Sequence, residues 1–165
     1  MPNPIPQAVY NDLFPAVGQL ILCWATFEGC LETWVNSIYH WGGGKSIDPI
    51  MPRVYKSKIT FLKDSFKKSP KLAPLKDAGL DLLKQAPPLF QIRSTVAHGA
   101  LSDFEASGDK VMFLRIDLSK AKDKQIRTEE WLTVPDIIDA GFKSIRLARA
   151  SLIFGNQLDK AIMPE

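Results

Sequence analysis

Between Leu20 and Trp41 the chain places large apolar side chains at three- and four-residue intervals: Leu20, Trp24, Phe27, Leu31, Trp34, Val35, Ile38 and Trp41. That spacing puts them on one side of a helix, as a stripe that other elements must cover. The helix is expected to open near Asp12, a good N-cap, with Pro15 tolerated in its first turn. Gly42-Gly43-Gly44 should end it, because unconstrained backbone suits a helix C-terminus.

The rest of the chain reads as further helices around one small β element. A second helix is expected from about Val54 to Lys68, with Ile59, Leu62 and Phe66 on its apolar side and Ser69-Pro70 stopping it. A third helical region begins near Ala73. Pro87-Pro88 must kink or restart it, since each proline removes a backbone donor and crowds the preceding turn. Its continuation runs from Leu89 to His98, with Gly99 placed as a C-cap. A hairpin follows, Phe104 to Ala106 and Val111 to Leu118 flanking Ser107-Gly108-Asp109-Lys110, and then a short strand at Glu130 to Leu132. Thr133-Val134-Pro135-Asp136 reads as a capping box with proline in the first turn. It opens a last long helix to about Leu158, whose apolar positions are read as Ile137, Ile138, Phe142, Ile145, Leu147, Leu152 and Phe154. The expected fold class is therefore mainly α, a helical bundle with a small β-hairpin insertion before the last long helix.

The 165 residues fit one domain with a single core, and a 45% hydrophobic, 24% charged composition is that of an ordinary soluble globular protein. Glu28, Glu32, Asn36 and His40 interrupt the longest apolar-rich stretch, so no membrane span is expected. No basic segment followed by an apolar one opens the chain, so no secretion signal is expected either. Cys23 and Cys30 lie two helical turns apart, about 10.5 Å of rise, too far for a disulfide between them. Reduced core thiols and a cytoplasmic location are the corresponding expectations.

Net charge is only +3, but its distribution is uneven. Acids outnumber the single base Lys45 up to Pro52. From Arg53 to Lys76, the bases Arg53, Lys56, Lys58, Lys63, Lys67, Lys68, Lys71 and Lys76 face only Asp64. Lys143, Arg146 and Arg149 form a second basic set on the last helix. Such asymmetry suits a phosphate-bearing partner, with Lys56, Lys63 and Lys67 as candidate phosphate contacts, although for this segment alone a solvated lysine-rich face is the simpler reading.

Several chemistries are excluded. Gly44-Lys45-Ser46 imitates the end of a P-loop, but Tyr39 stands where its first glycine belongs and a helix, not a strand, precedes it. Two histidines, His40 and His98, and two cysteines in one helix match no zinc or di-iron spacing, so no metal and no cofactor is expected. No nucleophile elbow is present.

What survives is Gln91-Ile92-Arg93-Ser94-Thr95-Val96-Ala97-His98-Gly99. Arginine offers phosphate a planar fork of donors and stays charged, while histidine exchanges a proton near neutrality. Five residues turn an ideal helix by about 500°, so Arg93 and His98 should point about 140° apart, separated by about 7.5 Å of rise. That arrangement favours a site shared across a two-fold axis. A capping histidine beside a surface arginine in an ion pair is the plain alternative.

The run from Ile92 to Gly99 resembles the signature of the HEPN superfamily, in which an arginine, usually followed by a polar residue, precedes a histidine late in a core helix. Ser94 takes the polar position. Trp24-Ala25-Thr26-Phe27-Glu28-Gly29-Cys30-Leu31 is similar to that family's first helix, where an acid punctuates an apolar stripe. The resemblance implies a single HEPN-like helical domain over residues 1–165. It implies a homodimer whose motifs converge, acting on single-stranded RNA as a metal-independent endoribonuclease, in some relatives a toxin or phage-defence effector paired with an antitoxin protein. Other relatives are non-catalytic nucleotide- or protein-binding modules. On this chain the resemblance makes Arg93 and His98 catalytic, with Ser94 and Glu28 supporting them and Glu32 an alternative to Glu28.

Overall fold

The computed structural model describes residues 5–105, 110–117 and 126–163. Among the described residues there are four α-helices, α1 (Gln7–His40), α2 (Tyr55–Lys68), α3 (Lys76–His98) and α4 (Val134–Ile162), and a three-stranded antiparallel sheet in sequence order, whose strands β1 (Ala100–Phe104), β2 (Lys110–Asp117) and β3 (Ile126–Thr133) fall between α3 and α4 along the chain. This is the mainly α fold, with a small β insertion before the last helix, that the periodicities indicate. Short 3-10 turns at Gly44–Ser46 and Pro70–Leu75 flank α2. The turn proposed at Ser107 to Lys110 and the polar loop after β2 lie largely outside the described residues.

Contacts divide the chain into two compact units, one made of Met1–Trp24 with Pro88–Lys143, the other of Ala25–Pro87 with Ser144–Glu165. Helices α1, α3 and α4 each contribute to both.

In the second unit the core is aromatic. Trp34 of α1 lies 4.7 Å from Phe154 of α4 and 6.5 Å from Phe66 of α2, ring centre to ring centre, and the two phenylalanines are 5.7 Å apart. Trp34 is fully buried, and its indole nitrogen donates to the Ser151 carbonyl at 3.2 Å, so the bulky ring leaves no polar cost behind. The C-terminal carbonyls of α1 are claimed by neighbours: Ser69 Oγ donates to Gly42 O at 2.8 Å and Lys71 Nζ to Trp41 O at 3.1 Å. Of the three glycines after α1, Gly43 takes the left-handed conformation that releases the chain, at φ 84°.

In the first unit Trp24 of α1 packs beside Phe90 of α3, 5.9 Å between ring centres. The expected capping box forms as read: the Asp136 amide donates to Thr133 Oγ1 at 3.0 Å, and the Thr133 amide donates back to Asp136 Oδ2 at 3.3 Å. Strand β3 therefore passes into α4 without a linker.

Four expectations are corrected. Helix α1 opens at Gln7, ahead of Asp12. Helix α3 runs unbroken through Pro87-Pro88, which lie on its exposed side, where water can serve the carbonyls they release. Strand β3 begins at Ile126, extending the short segment read at Glu130 to Leu132. Finally, Phe142 and Leu152 of α4 are 47% and 62% exposed. The buried face of α4 instead includes Ala140, Ser144, Ala148, Ser151 and Gly155, small residues that let neighbouring elements approach. The apolar stretch of α1 also needs restating: by length and composition alone it is long and apolar enough to cross a membrane, its charged residues notwithstanding. Its large side chains Leu20, Trp24, Phe27, Leu31 and Trp34 are buried within the protein.

Two measurements check this packing. Phe66→Ala should lower unfolding free energy by about 3–5 kcal/mol in a urea titration, while Lys68→Ala, which removes an exposed ion pair to Asp64, should change it by less than about 0.5 kcal/mol. Cys30 is a free thiol whose pKa is raised by burial, a shift partly offset by hydrogen bonding to backbone. Its thiolate fraction at pH 8 is thus below that of an unperturbed thiol, and iodoacetamide should alkylate it more slowly than free cysteine.

Candidate active site

The last turns of α3 carry Gln91, Arg93, Ser94, Thr95 and His98, and all of them belong to the first unit. Ser94 and Thr95 are buried at 6% and 0% exposure, Arg93 is half-buried, and His98 is exposed. The helix therefore sinks one side of the motif into the protein and leaves the imidazole open to a ligand.

The sheet receives that buried side. Pairing of Phe113 with Glu130 and of Arg115 with Thr128 puts these residues on one face, because side chains alternate along each strand. Thr95 Oγ1 donates to Glu130 Oε2, and Gln91 Nε2 reaches the same oxygen at 3.4 Å. Arg115 Nη1 donates to Ser94 Oγ at 3.3 Å. On the opposite face Trp131 and Ile116 are exposed.

Gly99 permits this approach. It was expected to cap α3, and its amide does bond to the Thr95 carbonyl at 2.8 Å, but without the left-handed conformation such caps favour. Its necessity is steric: a Cβ there would lie 2.9 Å from Phe113 Cβ and 2.6 Å from the Thr95 carbonyl oxygen. Only a residue without a side chain lets the strand turn back so close to the helix.

Arg93 and His98 meet within one chain. Arg93 Nη1 lies 3.4 Å from His98 Nε2. The ideal-helix expectation of side chains pointing well apart is corrected here: azimuth and rise fix where the Cβ atoms stand, and the reach of the long arginine side chain closes the rest of the distance. The contact is a hydrogen bond when His98 Nε2 carries no proton, with the guanidinium as donor. The pair is also a natural cradle for an anion. A phosphate oxygen can take the guanidinium donors that the imidazole now occupies.

Glu28 belongs to the second unit, where its charge adds to burial in pushing the Tyr55 phenol well above its usual pKa. Glu32 is ion-paired with Lys58. Lys56, Lys63 and Lys67 share one side of α2, spaced by seven and four residues, again in the second unit. Arg115 and Glu130 escaped the sequence reading entirely, since both come from strands far along the chain and no local motif marks them. Among the described residues no group of three or more histidine, cysteine, aspartate or glutamate side chains is placed to hold a metal ion.

Comparison with protein-family models, with curated proteins and with solved structures gives no match, so the functional reading stands on the motif and its geometry.

The Thr95–Glu130 bond can be weighed directly. In a double-mutant cycle, Thr95→Val and Glu130→Gln should each destabilise, with a coupling energy of about 1–2 kcal/mol, because a buried hydroxyl bonded to a carboxylate loses a charge-assisted partner.

Proposed function

We propose that this protein is a HEPN-type endoribonuclease that cleaves single-stranded RNA without a metal ion. The contact between Arg93 and His98 at the open end of α3 is the observation that supports it most. In this mechanism His98 Nε2 takes the proton of an RNA 2′-hydroxyl. The 2′-oxygen attacks the adjacent phosphorus, Arg93 stabilises the charge on the pentacoordinate phosphorane, and the 5′-oxygen leaves with a proton. The products are a 2′,3′-cyclic phosphate and a free 5′-hydroxyl, so the bond to the 5′-oxygen is exchanged for one to the 2′-oxygen without consuming water.

That sequence needs one group to accept a proton and another to give one. A homodimer would bring two copies of His98, one for each task. Exposed Phe14 and Leu22 on α1, 61% and 70% accessible, offer apolar surface for a second copy to cover. Ser94 would hold the phosphate, and Glu28 would support Arg93. Lys56, Lys63 and Lys67 would contact flanking RNA phosphates. The single HEPN-like domain, the cytoplasmic setting and a toxin or phage-defence role opposed by an antitoxin belong to the same proposal. The competing reading, a non-catalytic nucleotide- or protein-binding module, draws on the same contact, since an arginine held by an imidazole can serve binding alone.

Incubation of the purified protein with labelled RNA in EDTA separates the two. The nuclease reading expects cleavage that His98→Ala and Arg93→Ala each reduce by at least about 100-fold, the usual contribution of acid–base or electrostatic catalysis. Cleavage that needs added metal, or that survives His98→Ala, would overturn it.

A further inference from the structure

The nuclease reading uses one cation of the motif helix, yet the sheet brings a second to the same place. Arg115 Nη1 donates to Ser94 Oγ at 3.3 Å. Ser94 adjoins Arg93, and it precedes His98 by four residues, one helical turn, on a shared face. The motif thus meets two arginines: Arg93 contacts His98 at 3.4 Å along α3, and Arg115 reaches Ser94, the residue next to Arg93, from β2.

The partners of the two sheet residues differ in kind. Glu130 accepts from Thr95 and Gln91, neutral donors that fix α3 against β3. Arg115 instead rests on a neutral hydroxyl, a weak partner for a guanidinium and one that leaves its charge uncompensated by that bond. A phosphate oxygen in that place would form a charge-assisted bond, about twice as strong as a neutral one. Half-buried, Arg115 is also partly shielded from bulk water, which strengthens any such attraction.

We infer that Arg115 is a second phosphate ligand of the motif site, gripping RNA from the sheet side while Arg93 grips it from the helix side. The inference rests on the RNase reading for its ligand but concerns binding rather than cleavage. It gives the β insertion a direct role: β2 delivers a cation that no residue of the motif helix supplies. Ser94 becomes the joint between the two arginines, holding Arg115 in place while the site is empty.

Binding can be read apart from chemistry in a His98→Ala background. Fluorescence anisotropy with a labelled single-stranded RNA oligonucleotide, titrated across salt concentrations, gives both affinity and the number of phosphates engaged. Each phosphate contact on a single strand contributes a slope of about −0.7 in log K against log salt. Arg115→Gln should weaken binding by roughly 5- to 20-fold and make the slope shallower by about 0.7. Arg115→Lys should keep the slope while losing part of the affinity, because it retains the charge without the fork. Ser94→Ala should leave the slope unchanged, since a hydroxyl releases no counterion. Should Arg115→Gln prove unstable in a thermal melt, Arg115→Met, which keeps the aliphatic stem, takes its place with the same expectation.

An unchanged affinity and slope in the Arg115 variants overturns the inference. So does a Ser94→Ala protein that reproduces the whole Arg115→Gln effect, because Arg115 would then be a strut for Ser94. Failure of the nuclease reading looks different: the wild-type protein binds RNA with the Arg115-dependent slope but cleaves nothing. His98-dependent cleavage with a slope indifferent to Arg115 gives the converse, and it removes the second ligand alone.

Discussion

The hydrogen bond from Thr95 to Glu130 is the interaction on which the candidate site depends. It joins a fully buried hydroxyl on α3 to a carboxylate on β3, two elements far apart along the chain. Bonds to a charged acceptor are worth about 1.5–3 kcal/mol, more than most single contacts in a sheet this small. With that bond made, Phe113 lies against Gly99 and Arg115 reaches Ser94. The orientation of the motif helix is thereby set by the strands that follow it.

This anchoring explains how one short segment can be both rigid and reactive. Ser94 and Thr95 face inward and are held, while His98, three residues after Thr95, remains exposed. Arg93 stands between these conditions, half-buried and in contact with the imidazole. A group meant to exchange protons has to be reachable, and a group meant to hold a phosphate has to be aimed. Helical periodicity provides both from adjacent turns, provided something fixes the helix about its own axis. The sheet does so.

The long helices were readable because their stripes are large and regular, and the start of α4 was readable because a capping box is a local device. What escaped the sequence has physical causes. Gln7 to Asn11 extend α1 beyond Asp12, whose cap-like side chain masked the start, although Tyr10 and Phe14, one turn apart with ring centres at 5.1 Å, already carry the helical spacing. Phe142 and Leu152 looked like core positions on α4, yet close approach by neighbouring elements selects Ala140, Ser144, Ala148 and Ser151 for burial. Arg93 and His98 form a legible pair by type and spacing, but their meeting depends on side-chain reach that backbone azimuth does not describe. Arg115 and Glu130 enter through strand pairing, and pairing is a property of the folded chain.

The direct passage from β3 into α4 sets a limit on how this protein can change. Thr133 ends the strand and also caps the helix, so there is no slack in which an added residue could be absorbed. Side chains in a strand change face with every step, and one residue inserted between Glu130 and Thr133 would have to be taken up on the strand side or the helix side. On the strand side it would turn Glu130 away from Thr95; on the helix side it would break the cap. Substitutions along β3 can be tolerated one at a time, but its length is fixed to the residue.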